Sequence, residues 1–236
     1  MKNKRLIIIV MVIMVILTGS FFWYVGAYYR ADEVALQALV SDQTVTVETT
    51  SYGYHFDGPS QERCLIFYPG AKVEAAAYAP MLHQLASKGM DVCLVKMPFR
   101  LAIFNMNKAS SIIRHSHYRS WYVGGHSLGG AMAAYYASFH SESLSGLILF
   151  AAYPSIKIKN NLNVISIYGS NDGILNMKRV TSGRKLVSGR YHEYVIKGGN
   201  HAQFGNYGIQ SGDKTAVINA KLQQQLAISY ILMHLH

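Results

Sequence analysis

Apolar and polar positions follow three rhythms along this chain. Residues 6–25 form an uncharged apolar run of about 20 residues, long enough to cross a bilayer as a helix. Over 44–56 the apolar residues are spaced out, with Val45, Val47, Tyr52 and Tyr54 among them and Ser51 and Gly53 interrupting. That pattern predicts two antiparallel strands, followed by a turn over 57–61 that Gly58 and Pro59 mark. From Cys64 onward the apolar runs are short, at 64–68, 92–95, 121–125, 144–150, 164–168 and 191–196, and the first of them is continuous. Unbroken runs of that length are expected of strands covered on both faces.

Helical spacing fills the intervals. A short helix is expected within 28–41, with Val34, Leu36, Leu39 and Val40 as its apolar positions. Further helices are expected over 75–88, closed by Gly89, around 102–114, and from Gly129 to about His140. The last runs over 214–235 through Leu222, Leu226, Ile228 and Leu232, while 97–101 reads as a loop. Strands alternating with helices imply an α/β fold with a doubly wound, mostly parallel sheet. The sequence shows no internal repeat and no interdomain linker, so 28–236 reads as one domain behind an N-terminal segment of residues 1–27.

That segment has its charges on one side. Lys2, Lys4 and Arg5 precede the apolar run, and Phe21, Phe22, Trp23 and Tyr24 crowd its far end. Basic residues stay cytoplasmic and aromatic residues favour the membrane interface, so the remainder of the chain is expected outside the cytoplasm, at the cell membrane on a single span. A signal peptide cleaved near Val25-Gly26-Ala27 is the competing reading; the length of the run and the bulk of its aromatic end favour an uncleaved anchor.

Composition narrows the class. Half of the 236 residues are hydrophobic and 14% are charged, which excludes a disordered chain. The formal net charge is +10, yet there is no Lys/Arg-rich run and no nucleic-acid motif, so nucleic acid is not expected as a partner. Cys64 and Cys93 each fall inside an expected strand and have no metal-ligand spacing, which reads as two buried thiols, with a disulfide left open should the two strands be neighbours. Neither a metal nor an organic cofactor is indicated, and the sequence does not specify an oligomeric state.

The chemistry concentrates in Gly125-His126-Ser127-Leu128-Gly129, where an apolar strand meets an Ala-rich helix. G-x-S-x-G at a strand-to-helix junction is the nucleophile elbow, in which a strained turn lifts the serine Oγ clear of the sheet. The flanking glycines pass too close to neighbouring backbone to carry side chains. The N–H of Leu128 then points where an oxyanion would form, helped by the positive end of the helix. A serine nucleophile needs a base and an acid that orients it. Asp172 follows the 164–168 run and His201 follows the 191–196 run, both at strand ends where α/β sheets build their sites. Asp213 and Glu193 are rival acids, but the first lies beyond His201 and the second lies within a strand; the other nine histidines, His126 inside the elbow among them, lack this strand-end context. The second oxyanion donor is expected from Pro69-Gly70-Ala71-Lys72, with the N–H of Ala71 as the choice.

Together with Tyr68-Pro69-Gly70-Ala71, Gly169-Ser170-Asn171-Asp172-Gly173 and Gly199-Asn200-His201-Ala202-Gln203-Phe204-Gly205, the elbow resembles the alpha/beta-hydrolase superfamily over roughly residues 28–236. It looks most like that superfamily's small, N-terminally anchored bacterial serine hydrolases. The resemblance implies the fold and a Ser-His-Asp mechanism without implying a substrate. Many superfamily members carry a lid domain after the strand that follows the elbow helix; here residues 151–163 leave room only for a loop.

The expected activity is hydrolysis of a carboxylic ester or thioester of modest size, a small-molecule acyl substrate. Arg100 and Phe204, on loops at the site's edge, are the candidate substrate contacts. Two other readings stay open: an acyltransferase using the same three residues, and a catalytically silent hydrolase fold serving as a surface binding module.

Overall fold

The computed structural model describes residues 2–235; Met1 and His236, the latter one of the rival histidines, lie outside them. The first element is helix α1 (Lys2–Gly26). Its stretch Lys4–Gly26 has a mean hydropathy of 2.7 and is long and apolar enough to cross a membrane. A single short turn, α2 (Glu33–Gln37), is all that forms of the helix expected within 28–41, started by Asp32, whose side chain accepts the Ala35 N–H. The preceding backbone is engaged elsewhere: Tyr29 pairs with Val73 as an isolated parallel bridge.

Eight strands form one sheet. The hairpin β1 (Thr46–Thr50) and β2 (Gly53–Asp57) lies at one edge, followed in space by β4 (Asp91–Val95), β3 (Arg63–Tyr68), β5 (Ser120–His126), β6 (Gly146–Phe150), β7 (Asn163–Gly169) and β8 (Tyr191–Ile196). β2 runs antiparallel to β1 and β4, and every other neighbouring pair is parallel. β3 shows why its sequence is unbroken. Leu65 and Phe67 face a core shared with Met81, Leu82, Leu85 and Ile228, whereas Cys64, Ile66 and Tyr68 face Ala109, Ile112, Ala133 and Ala137 on the other side. The helices supplying those faces are α3 (Ala79–Ala86), α4 (Lys108–Arg114), α5 (Leu128–His140) and α7 (Ala220–Leu232), with α6 (Met177–Arg184) completing the set. Each fully buried Leu, Ile or Phe of β3 stabilises the fold by roughly 1.5–3 kcal/mol.

Several helices differ from their periodicity. The 75–88 stretch begins as a 3₁₀ turn (Ala75–Tyr78) before α3, and the 102–114 stretch divides into a 3₁₀ turn (Ala102–Phe104) and α4. α6 carries only Met177 and Val180 as large apolar residues and was not foreseen. α7 starts six residues late because the backbone before it bonds to the site loops instead. Val217 N–H donates to Gly198 O (2.7 Å), and Lys214 O and Thr215 O accept from the Asn200 and Asn171 side chains. Asn219 then caps the helix at the Leu222 N–H. Cys64 and Cys93 are both buried free thiols, their sulfurs 3.5 Å apart. The segment between β6 and β7 forms no helix or strand and no lid.

Candidate active site

Backbone strain gathers at the carboxyl edge of the sheet. Seven non-glycine residues have positive φ among the described residues, and five of them follow β3, β4, β5 and β6: Lys72, Phe99, Arg100, Ser127 and Ala151. Strain of this kind costs about 1–3 kcal/mol per residue and concentrates where function demands it. Ser127 has φ 53° and ψ −122°, between the last residue of β5 and the first of α5. Its N–H donates to Phe150 O (2.9 Å), and its carbonyl accepts the Ala131 N–H (3.0 Å). The turn passes so close to β3 that a Cβ at Gly129 would overlap the Tyr68 and Pro69 carbonyl oxygens, and one at Gly125 would overlap that of Tyr68.

Asp172 and His201 are 29 residues apart in sequence and meet in space. His201 Nδ1 lies 2.8 Å from Asp172 Oδ2, and their side chains are 1% and 3% exposed. The other Asp172 oxygen accepts the N–H groups of Ile174 (2.8 Å) and Leu175 (2.7 Å), which fixes the carboxylate as an acceptor for the ring. His201 Nε2 is buried and has no partner. Ser127 and His201 line one cavity of about 240 Å³ together with Leu128, Ala151, Tyr153 and Ile174.

A buried polar network, which sequence reasoning missed, surrounds the pair. His126, passed over there for want of a strand-end context, packs its ring 4.5 Å from that of His201. Its Nδ1 is 2.8 Å from Tyr78 Oη, and the same Tyr78 oxygen accepts the Gly70 N–H (3.0 Å). Burial pushes the Tyr78 phenol upward, so it keeps its proton. Burial first, and the charge of neighbouring His201 second, hold His126 well below the ordinary imidazole range, which keeps it neutral. Tyr78 thereby joins two elements: the elbow carries His126 and the loop after β3 carries Gly70. Asp213, weighed as a rival acid, does not touch the imidazole but spans both loops. Its Oδ1 accepts the N–H of Gly173 (2.9 Å), next to Asp172, and its Oδ2 accepts the N–H of Ala202 (2.9 Å), next to His201. Gln223 of α7 pairs both ways with the backbone of Asn200, at 2.9 and 2.8 Å. Tyr78 and Gln223 gave no sequence signal, since each lies in an ordinary helical stretch.

In the loop after β3, Lys72 N–H donates to Arg100 O and Val73 N–H to Gly70 O. The Ala71 and Leu128 amides take no part in these bonds. The two candidate substrate contacts are placed elsewhere. Phe204 is fully buried beneath the histidines, 5.8 Å from His126 and 5.6 Å from Phe150 between ring centres. Arg100 lines a separate cavity of about 350 Å³ with Pro69, Val73, Lys96 and Phe99, and its guanidinium stacks 3.3 Å over the Tyr28 ring. Neither residue lines the Ser127 cavity, because the strap after His201 folds Phe204 inward and the strained Phe99-Arg100 turn aims the guanidinium at the end of α1. No group of three or more His, Cys, Asp or Glu side chains is arranged to hold a metal ion among the described residues.

The profile of the alpha/beta hydrolase family matches residues 64–225. The chain belongs to the alpha/beta hydrolase family. Solved structures of the same fold include dienelactone hydrolase from Anabaena variabilis, 11% identical with a TM-score of 0.60 over 82% of this chain and 100% of its own. Est1E from Butyrivibrio proteoclasticus is 10% identical with a TM-score of 0.59 over 81% and 98%. TT1662 from Thermus thermophilus is 13% identical with a TM-score of 0.58 over the same shares. At such identities the likeness is one of fold. No curated protein sequence matches the chain. At family level the protein is a hydrolase.

Proposed function

We propose that this alpha/beta hydrolase is a serine hydrolase, held at the membrane by α1, that cleaves a carboxylic ester or thioester through an acyl-enzyme. One observation carries the reading: the His201–Asp172 pair leaves a buried, unpartnered Nε2 in the same cavity as the strained Ser127. His201 Nε2 takes the Ser127 proton as Oγ attacks the acyl carbon. The resulting oxyanion lies between the N–H groups of Leu128 and Ala71, with the positive end of α5 behind the first. Collapse expels the alcohol or thiol, which receives the proton from His201. Water then enters, His201 takes its proton, and the acid leaves as Ser127 Oγ recovers a proton. Asp172 holds the ring in the Nδ1–H tautomer and stabilises the imidazolium. The basic residues of α1 stand at its start, before the apolar run, so the catalytic part lies outside the cytoplasm.

A fluorophosphonate probe tests this on the full chain in detergent, with peptide mass spectrometry to locate the adduct. Labelling at Ser127 is expected, absent in Ser127→Ala, and ester turnover in that variant should fall by roughly 10⁴-fold or more. A folded protein that takes no label and turns over no ester would falsify the reading.

A further inference from the structure

The loop after β4 carries apolar side chains that the domain does not cover. Phe99, Ile103 and Phe104 are 43%, 51% and 51% exposed. They adjoin the end of α1: the Phe21 ring lies 5.1 Å from that of Phe99 and 6.1 Å from that of Phe104, and Phe22 lies 6.3 Å from Phe99. Cations flank the junction. Lys72 Nζ sits 4.2 Å over the Tyr24 ring, Arg100 sits over Tyr28, and an Arg100 Nη1–H reaches Val25 O at 3.5 Å.

We propose that the 99–104 loop is a bilayer-docking surface that seats the domain on the outer leaflet, and that the substrate is an amphiphilic acyl ester taken from that leaflet. The proposal rests on reading α1 as a membrane span. The occupant follows from continuity. No part of the apolar window of α1 is buried in the protein, so hydrocarbon is what covers it. Phe21 and Phe22 touch Phe99 and Phe104, so the medium around the last turns of α1 also bathes the loop. Aromatic side chains with Lys and Arg beside them suit the headgroup layer, where cations also attract anionic lipids. The consequence reaches the site. The 99–104 loop leaves the carboxyl end of β4, the same sheet edge from which Ser127, Asp172 and His201 project. The edge carrying the chemistry is therefore the edge turned toward the membrane. The backbone tie between Tyr29 and the 72–74 loop fixes this orientation: Tyr29 N–H donates to Lys72 O (2.7 Å), and Glu74 N–H donates to Tyr29 O (2.9 Å).

The test uses the full chain in phosphatidylcholine–phosphatidylglycerol vesicles doped with nitroxide-bearing lipid. Phe104→Cys and Ser143→Cys are each labelled with an environment-sensitive fluorophore; Ser143 is exposed before β6, at the opposite sheet edge, and the buried Cys64 and Cys93 make the unsubstituted chain the blank. Blue-shifted emission quenched by the lipid at 104, with water-like unquenched emission at 143, is the expected result. Water-like emission at both positions, in a chain that resists carbonate extraction, overturns the docking surface and leaves α1 as a span. Extraction by carbonate overturns both. Neither readout needs activity, so failure of the serine-hydrolase reading would show separately. For the substrate, Ile103→Asp/Phe104→Asp should lower turnover of a long-chain ester in vesicles about tenfold relative to a soluble short-chain ester. An unchanged ratio overturns the delivery of substrate from the bilayer.

Discussion

The loops that carry Asp172 and His201 and the loop after β3, which abuts the elbow, are held by different kinds of interaction. On the side of Asp172 and His201 the supports are buried hydrogen bonds within the domain, from Asp213, Gln223 and the amides of Ile174 and Leu175. At the loop after β3 the supports come partly from α1 and the residues that follow it. Tyr29, three residues beyond α1, pairs with the loop, and Arg100 and Lys72 stack on Tyr28 and Tyr24. Hydrogen bonds with both partners buried fix angles tightly, whereas stacking on a linker fixes position only as well as the linker is placed. The His201–Asp172 pair is thus held independently of α1, and the loop after β3 is coupled to it.

Three experiments break or sharpen that contrast. The largest effect is expected on the self-contained side. Asp213→Ala leaves the Gly173 and Ala202 amides without their acceptor, so kcat/KM should fall by roughly 10–100-fold and stability by about 1–3 kcal/mol. Asp213→Asn, which keeps one acceptor oxygen, should recover part of both, as read by ester kinetics and denaturant unfolding. Equal activity in the three proteins would mean that the clamp does not position the pair.

Removal of the tail comes next. A chain beginning at Tyr28 keeps the Tyr29–Val73 bridge, and one beginning at Asp32 loses it. The shorter chain should lose about 3–30-fold in kcat, because an oxyanion donor is misplaced, with little change in KM. A fall confined to KM would place the tail's effect in substrate binding instead.

The smallest effect is a pH dependence at the seam between the two sides. His126 has a folded-state pKa below its unfolded value of about 6.5. Below that pH the unfolded chain takes up a proton that the folded chain refuses, so stability falls as pH drops through about 6.5 and is fully present above it. Relative to His126→Asn, whose side-chain oxygen can still accept from Tyr78, the wild type should lose up to about 1.4 kcal/mol per pH unit between about pH 6 and 5. Asp91, whose carboxyl burial pushes up to about 6, titrates in the opposite sense in both proteins and cancels in the difference. Parallel stability curves for the two proteins would show that His126 titrates normally.

Much of this was readable in the chain because it is local. Unbroken runs such as Cys64 to Tyr68 report burial on both faces, and Gly125 and Gly129 report a turn pressed against β3. Asp172 and His201 stand out because each follows a strand run into a Gly-rich loop, and the apolar length of α1 is a matter of composition. What the tertiary structure decided involves partners distant in sequence. Arg100 and Phe204 sit on loops whose direction depends on what they pack against, and they turned toward Tyr28 and the buried histidines. Asp213 became a clamp only because the strap carries it to amides 40 and 11 residues away. α7 begins at Ala220 because the loops at 171, 198 and 200 claim the backbone that periodicity alone would have made helical. Periodicity encodes which face of an element is buried; which hydrogen-bonding group meets it there depends on chain segments that only the folded sheet brings together.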